Sequence, residues 1–157
     1  MTLSSTVAST QYAGTGAQTV FAVTFVFWTL DDLRVVHRSA AGVETVWTRG
    51  TQYTLTGGSG ATGTLTVVTT PTDYTPASGT TLTIKSNIAV TQPTDLPVGG
   101  IFPSTAVEEQ FDKTVRVEQQ QAAELARALK YPETDSSSLS SVLPSSVTRA
   151  SKFAAYD

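Results

Sequence analysis

Cysteine is absent from the 157-residue chain, which removes disulfide frameworks, thiolate nucleophiles and Cys-ligated zinc together. Histidine occurs once, at His37, the only side chain whose ordinary pKa lies near neutrality. Charge is scarce too: 15% of residues are Asp, Glu, Lys or Arg and the net charge is −3, so no basic face able to neutralise phosphates is expected. That disfavours nucleic acid as a partner. No run approaches the roughly 18 apolar residues of a membrane span, and residues 1–11 lack the positive and apolar regions of a secretory signal. These absences predict a soluble chain made in the cytoplasm, with no membrane insertion and stability drawn from packing or assembly.

What remains is rich in Thr, Ser, Gly and Val, a composition suited to β-structure with many turns. After a polar arm over residues 1–10, residues 20–27 form the strongest candidate strand, with Phe21, Val23, Phe25 and Phe27 on one core-facing side by the period of two. Asp31 and Asp32 mark a turn. Further strands are predicted over 33–38, 43–48, 53–56, 64–68 and 80–85, the first two as a hairpin around Ala40-Ala41-Gly42. Short strands at this spacing point to an antiparallel β-sandwich or barrel over residues 11–86. Pro93, Pro97, Gly99, Gly100 and Pro103 make residues 87–103 a surface linker, since proline cannot continue a helix or a central strand.

A long α-helix is predicted over 104–131, opened by Thr105 and Glu108 at capping-box spacing and closed before Pro132. If helical from 105 to 130 it spans roughly 39 Å at about 1.5 Å per residue. Phe111, Val115, Glu118, Ala122, Leu125 and Leu129 follow a four-three-four-three-four spacing, a heptad seam with one polar interruption. One narrow seam buries too little surface to steady so long a helix, so a coiled-coil-like bundle of several chains is expected, with Glu118 setting register. The alternative is a helix folded back on its own β-domain with Glu118 in water. Residues 132–157 are Ser-rich, then more ordered in pattern from Val147 to Phe153, and stop as though something should follow.

Three segments, in order, resemble the N-terminal virion-anchoring region of tail fibre and tailspike proteins of short-tailed bacteriophages. The first is Tyr12-Ala13-Gly14-Thr15-Gly16 followed by Phe21, Phe25 and Phe27. The second, the most specific, is Val107-Glu108-Glu109-Gln110-Phe111-Asp112-Lys113, then Gln119-Gln120-Gln121, then Arg127-Ala128-Leu129-Lys130 and Pro132. The third is Arg149-Ala150-Ser151-Lys152-Phe153 with Asp157, similar to the point from which a fibre shaft continues. The resemblance implies a non-enzymatic structural protein of the virion tail. It would be a homotrimer whose β-domains attach to tail adaptor, nozzle or portal-proximal proteins for host adsorption, with receptor binding or depolymerase activity in a C-terminal part beyond this chain. The Gly-rich stretch 57–63 and the Pro-containing loop 71–76 depart from the better-known members.

Rival chemistries have thin support. His37 lies between Val36 and Arg38 on a strand and reads as an exposed or satisfied strand residue, and adjacent Asp31 and Asp32 in a turn point apart rather than forming a glycosidase pair. Gly57 to Gly63 lacks the Lys-Ser/Thr ending and following helix of a phosphate cradle and reads as a hairpin loop. Glu108, Glu109, Asp112 and Glu118, interleaved with Lys113 and Arg116, read as a solvated helix face, not a metal site. No cofactor, metal ligand or catalytic residue is therefore assigned. The serious alternative is a carbohydrate-binding or adhesive module with Trp28, Trp47, Tyr12, Tyr53 and Tyr74 as an aromatic platform, although such aromatics belong more often to a core or an interface.

Overall fold

The structure, a computed structural model, describes residues 7–92 and 103–128. In chain order it has β1 (Ser9–Ala13), β2 (Val20–Phe27), a 3-10 turn at Leu30–Asp32, β3 (Leu33–Arg38), β4 (Glu44–Trp47), β5 (Tyr53–Gly57), β6 (Ala61–Val67), β7 (Thr81–Ser86) and the helix α1 (Ser104–Leu125). The strands form two antiparallel sheets, ordered β1-β7-β3-β4 and β2-β6-β5. The arrangement is sandwich-like, and among the described residues the two ladders do not join into a closed barrel.

Alternation along the strands explains the layers. In β2, Phe21, Val23, Phe25 and Phe27 are each at most 2% exposed, while Val20 on the other face is 52% exposed. Facing them from the second sheet are Leu33 and Val35 of β3, Trp47 of β4, and Leu82 and Ile84 of β7; Tyr53, Leu55, Leu65 and Val67 complete the cluster. Each such side chain contributes about 1.5–3 kcal/mol on burial, which makes this core the main source of stability for a chain with no covalent cross-link. One corner is closed by β1, where the Tyr12 hydroxyl donates to the Ala22 carbonyl at 2.7 Å and the Tyr12 ring tilts against Phe21 at 5.2 Å.

Several boundaries differ from expectation, for physical reasons. Residues 9 and 10 belong to β1 instead of a polar arm: the strand is nearly all polar, so its own pattern is silent, and pairing with β7 from Ser9–Lys85 to Ala13–Thr81 orders it. Residues 87 and 88 are not a free linker, since Asn87 N–H donates to the Asp32 carbonyl at 2.7 Å and Ile88 is 4% exposed. The helix starts at Ser104 with Pro103 as its N-cap, and no side chain caps it. Thr105 thus sits inside the first turn, and the anticipated capping box does not form. α1 ends at Leu125, so its 22 residues span roughly 33 Å. The segments 93–102 and 129–157, with Leu129 and the shaft-like residues 149–157, lie outside the described residues.

The glycine-rich stretch is the β5–β6 hairpin and wraps around Phe27. A Cβ on Gly63 would stand 2.2 Å from the Thr56 carbonyl oxygen and 2.7 Å from the Phe27 ring, closer than any real contact. β6 passes over that ring where its pairing with β2 shifts register between Val23 and Phe27. Gly14 is confined similarly, its virtual Cβ 2.2 Å from the Ala77 carbonyl oxygen, as its N–H donates to the Thr80 carbonyl at 2.9 Å. Gly63→Ala is expected to cost about 1–3 kcal/mol through overpacking, read as a lower urea midpoint with an unchanged slope. An unaltered midpoint would contradict this account of the hairpin.

Candidate functional site

The 3-10 turn after β2 prepares an anion site. Thr29 and Asp32 have capping-box spacing, and the Asp32 carboxylate accepts from the Trp28 N–H and the Thr29 N–H, both at 3.2 Å, and from the Thr29 hydroxyl at 2.9 Å. Asp31, next in sequence, turns outward and pairs with Arg49 at 2.7 Å, so the two carboxylates serve different partners. Into the Asp32 site projects Arg116 of α1. Its Nη1 lies 3.1 Å from Asp32 Oδ2, and its guanidinium lies 3.9 Å from the centroid of the Trp28 ring. Arg116 is 7% exposed and Asp112, one helical turn earlier, 8%.

Three further contacts on the same side of α1 complete the attachment. Lys113 Nζ donates to the Thr91 carbonyl at 2.5 Å, Gln120 Oε1 accepts from the Ile88 N–H at 2.6 Å, and Glu124 pairs with Lys85 of β7. Positions 113, 116, 120 and 124 follow a three-four-four spacing, one face of a helix. The helix is therefore held to its own sandwich along a polar face. This corrects the expectation of a solvated face for Asp112 and Arg116: both are buried, with their mutual attraction and the Asp32 bond offsetting the loss of water.

The heptad seam faces the other way. Phe111 is 67% exposed, Leu125 60% and Val115 41%, with Glu118 and Ala122 exposed between them. At about 100° per residue this stripe lies roughly on the far side of α1 from the docking face. Packing on the sandwich and presenting the seam are thus compatible, where sequence reasoning had treated them as alternatives.

The aromatic residues do not form a platform. Trp47 and Tyr53 are 8% and 4% exposed in the core, and Trp28 is half-buried beneath Arg116. His37 stacks on Trp47 at 5.1 Å, and burial lowers its pKa, favouring the neutral ring. Among the described residues no cluster of three potential metal ligands occurs, and no helix is long and apolar enough to cross a membrane. Comparison with protein-family models and with curated protein sequences finds no match.

The docking residues were missed because a polar face carries no hydrophobic period, and nothing in sequence links Asp32 to a residue 84 positions away. Only the Thr29–Asp32 spacing was a readable signal. Arg116→Met should cost about 1–2 kcal/mol, since Asp32 retains three donors, whereas Asp32→Ala should cost about 3 kcal/mol by leaving Arg116 buried without its partner and unstapling the turn. Urea unfolding of both variants checks the order, and the reverse order would contradict it.

Burial pushes the Asp32 carboxyl up, but hydrogen bonds from Thr29, Trp28 and Arg116 outweigh it and hold the pKa below its ordinary 3.8. A depressed carboxylate stabilises the fold fully above its unfolded pKa, and that contribution is lost as pH falls from there through the folded value. Stability should therefore fall below about pH 4, and the Asp32→Asn variant should show a shallower decline over that interval in unfolding free energy against pH. Parallel profiles would count against this role.

Proposed function

We propose that this chain is a structural, non-enzymatic anchoring module of a bacteriophage tail fibre, a homotrimer in which three α1 helices associate along their seams and the β-sandwiches attach the fibre to the tail. The exposed stripe of Phe111, Val115, Ala122 and Leu125 carries the reading. Single exposed apolar residues are ordinary, but a run at heptad spacing on a helix whose other face is already attached is a surface suited to a second and third copy. The three segments similar to fibre-anchoring regions supply the trimeric number and the setting, a virion tail assembled in the host cytoplasm.

In this arrangement α1 acts as both spacer and clamp. Its polar face fixes the direction in which each sandwich projects, and its apolar face gathers the chains round one axis. Glu118, the polar interruption, sets register among the helices. Tail adaptor, nozzle or portal-proximal proteins are the partners this reading assigns to the sandwiches, leaving host recognition to sequence beyond the anchor.

Light scattering over a dilution series tests the assembly directly. The expected mass is three times the 16.5 kDa of one chain, falling to one chain in Leu125→Asp because a charge cannot be matched inside such a seam. Circular dichroism should remain that of the parent, since Leu125 is 60% exposed in the single chain. A concentration-independent monomer for the parent, or a trimer for the variant, would overturn the seam as the interface.

A further inference from the structure

The outer face of the β1-β7-β3-β4 sheet carries a concave groove of about 470 Å³ whose chemistry is unlike that of the rest of the chain. Four of the seven Lys and Arg among the described residues line it: Arg34 and Arg38 of β3, Lys85 of β7, and Arg127 just after α1. Two carboxylates, Glu44 and Glu124, also reach it, leaving an excess of two positive charges in a chain whose net charge is −3. Arg34 and Lys85 stand directly opposite each other in the β3–β7 ladder. Like charges in that relation destabilise a sheet. Glu124 pairs with Lys85 and also attracts Arg34 from farther off, while among the described residues no carboxylate stands within ion-pairing distance of Arg34.

Between the arginines the surface is mixed, with two valines beside Thr83 and Gln11. Val36 lies midway along β3, and its ladder partner Val46 of β4 is 50% exposed. Arg34 and Arg38, both exposed, are four residues apart, or about 13 Å along the strand. The groove thus presents two guanidinium forks flanking an aliphatic strip, Val36 and Val46, bordered by Thr83.

We infer that this groove binds an extended acidic peptide segment of a partner protein, two carboxylates meeting Arg34 and Arg38 while an apolar side chain between them covers Val36 and Val46. Guanidinium groups pair with carboxylates through two parallel hydrogen bonds, and a bound carboxylate also relieves the Arg34–Lys85 opposition. A polyphosphate chain fits less well. It offers nothing apolar to the valines, and its closely spaced charges meet more of the repulsion of Glu44, Glu124 and the negative remainder of the molecule than two separated carboxylates do. The groove is built within one chain, so it stands whether or not α1 associates.

Fluorescence anisotropy on the full chain tests the assignment, with a labelled peptide holding two glutamates four residues apart and a leucine midway. A peptide with glutamines in place of the glutamates and an oligothymidylate serve as competing probes. The acidic peptide is expected to bind with an affinity that falls as salt rises, and to bind at least tenfold more weakly to the Arg34→Gln/Arg38→Gln double variant. Arg49→Gln, which lies outside the groove, should leave binding within about twofold, and circular dichroism of the double variant should match the parent. No binding at low salt, equal binding of the glutamine peptide, an unaffected double variant, or tighter binding of the oligothymidylate would each overturn the proposal.

Discussion

The bond between Asp32 and Arg116 is the constraint on which the rest of the arrangement depends. It joins a turn made by local hydrogen bonding to a helix 84 residues away, and it does so in a setting from which water is largely removed. An ion pair of this kind adds little net stability compared with an apolar contact, but it is intolerant of misalignment. Its worth here is directional. With the guanidinium held over Trp28 and against Asp32, α1 has one rotation about its own axis, and that rotation decides which residues face outward.

The outward residues are the ones at heptad spacing, so the two faces of α1 divide the labour between polar and apolar chemistry. A helix attached through apolar contacts would leave only polar residues exposed. Using Lys113, Arg116, Gln120 and Glu124 for attachment leaves Phe111, Val115, Ala122 and Leu125 available for association. The sandwich is equally economical: the inner faces of both sheets are aliphatic and aromatic, and polar groups concentrate on the outer faces and loops.

Periodicity made much of the fold legible. The Phe-rich β2, the β3–β4 hairpin and the six expected strands emerge from alternation and turn residues within a few positions of their observed limits. β1 escaped because an edge strand ordered by its neighbour needs no hydrophobic pattern of its own. The helix was readable, but its cap was not: Thr105 and Glu108 have the right spacing, whereas Pro103 with its fixed ring caps the helix two residues earlier. The docking face was hidden for a different reason. Residues such as Arg116 and Asp112 carry charge, and one sequence cannot distinguish a charge bound for water from one bound for a partner 84 residues away.

Attachment at 113, 116, 120 and 124 covers three turns of α1, roughly 17 Å of its length. That spread gives the junction a mechanical anisotropy. Tension along the helix axis loads all the contacts together in shear, so none yields until the group does. Tension across the axis at the C-terminal end peels them one after another, beginning with Glu124 and Lys85. A sandwich held in this way resists being pulled lengthwise and gives under leverage from the side.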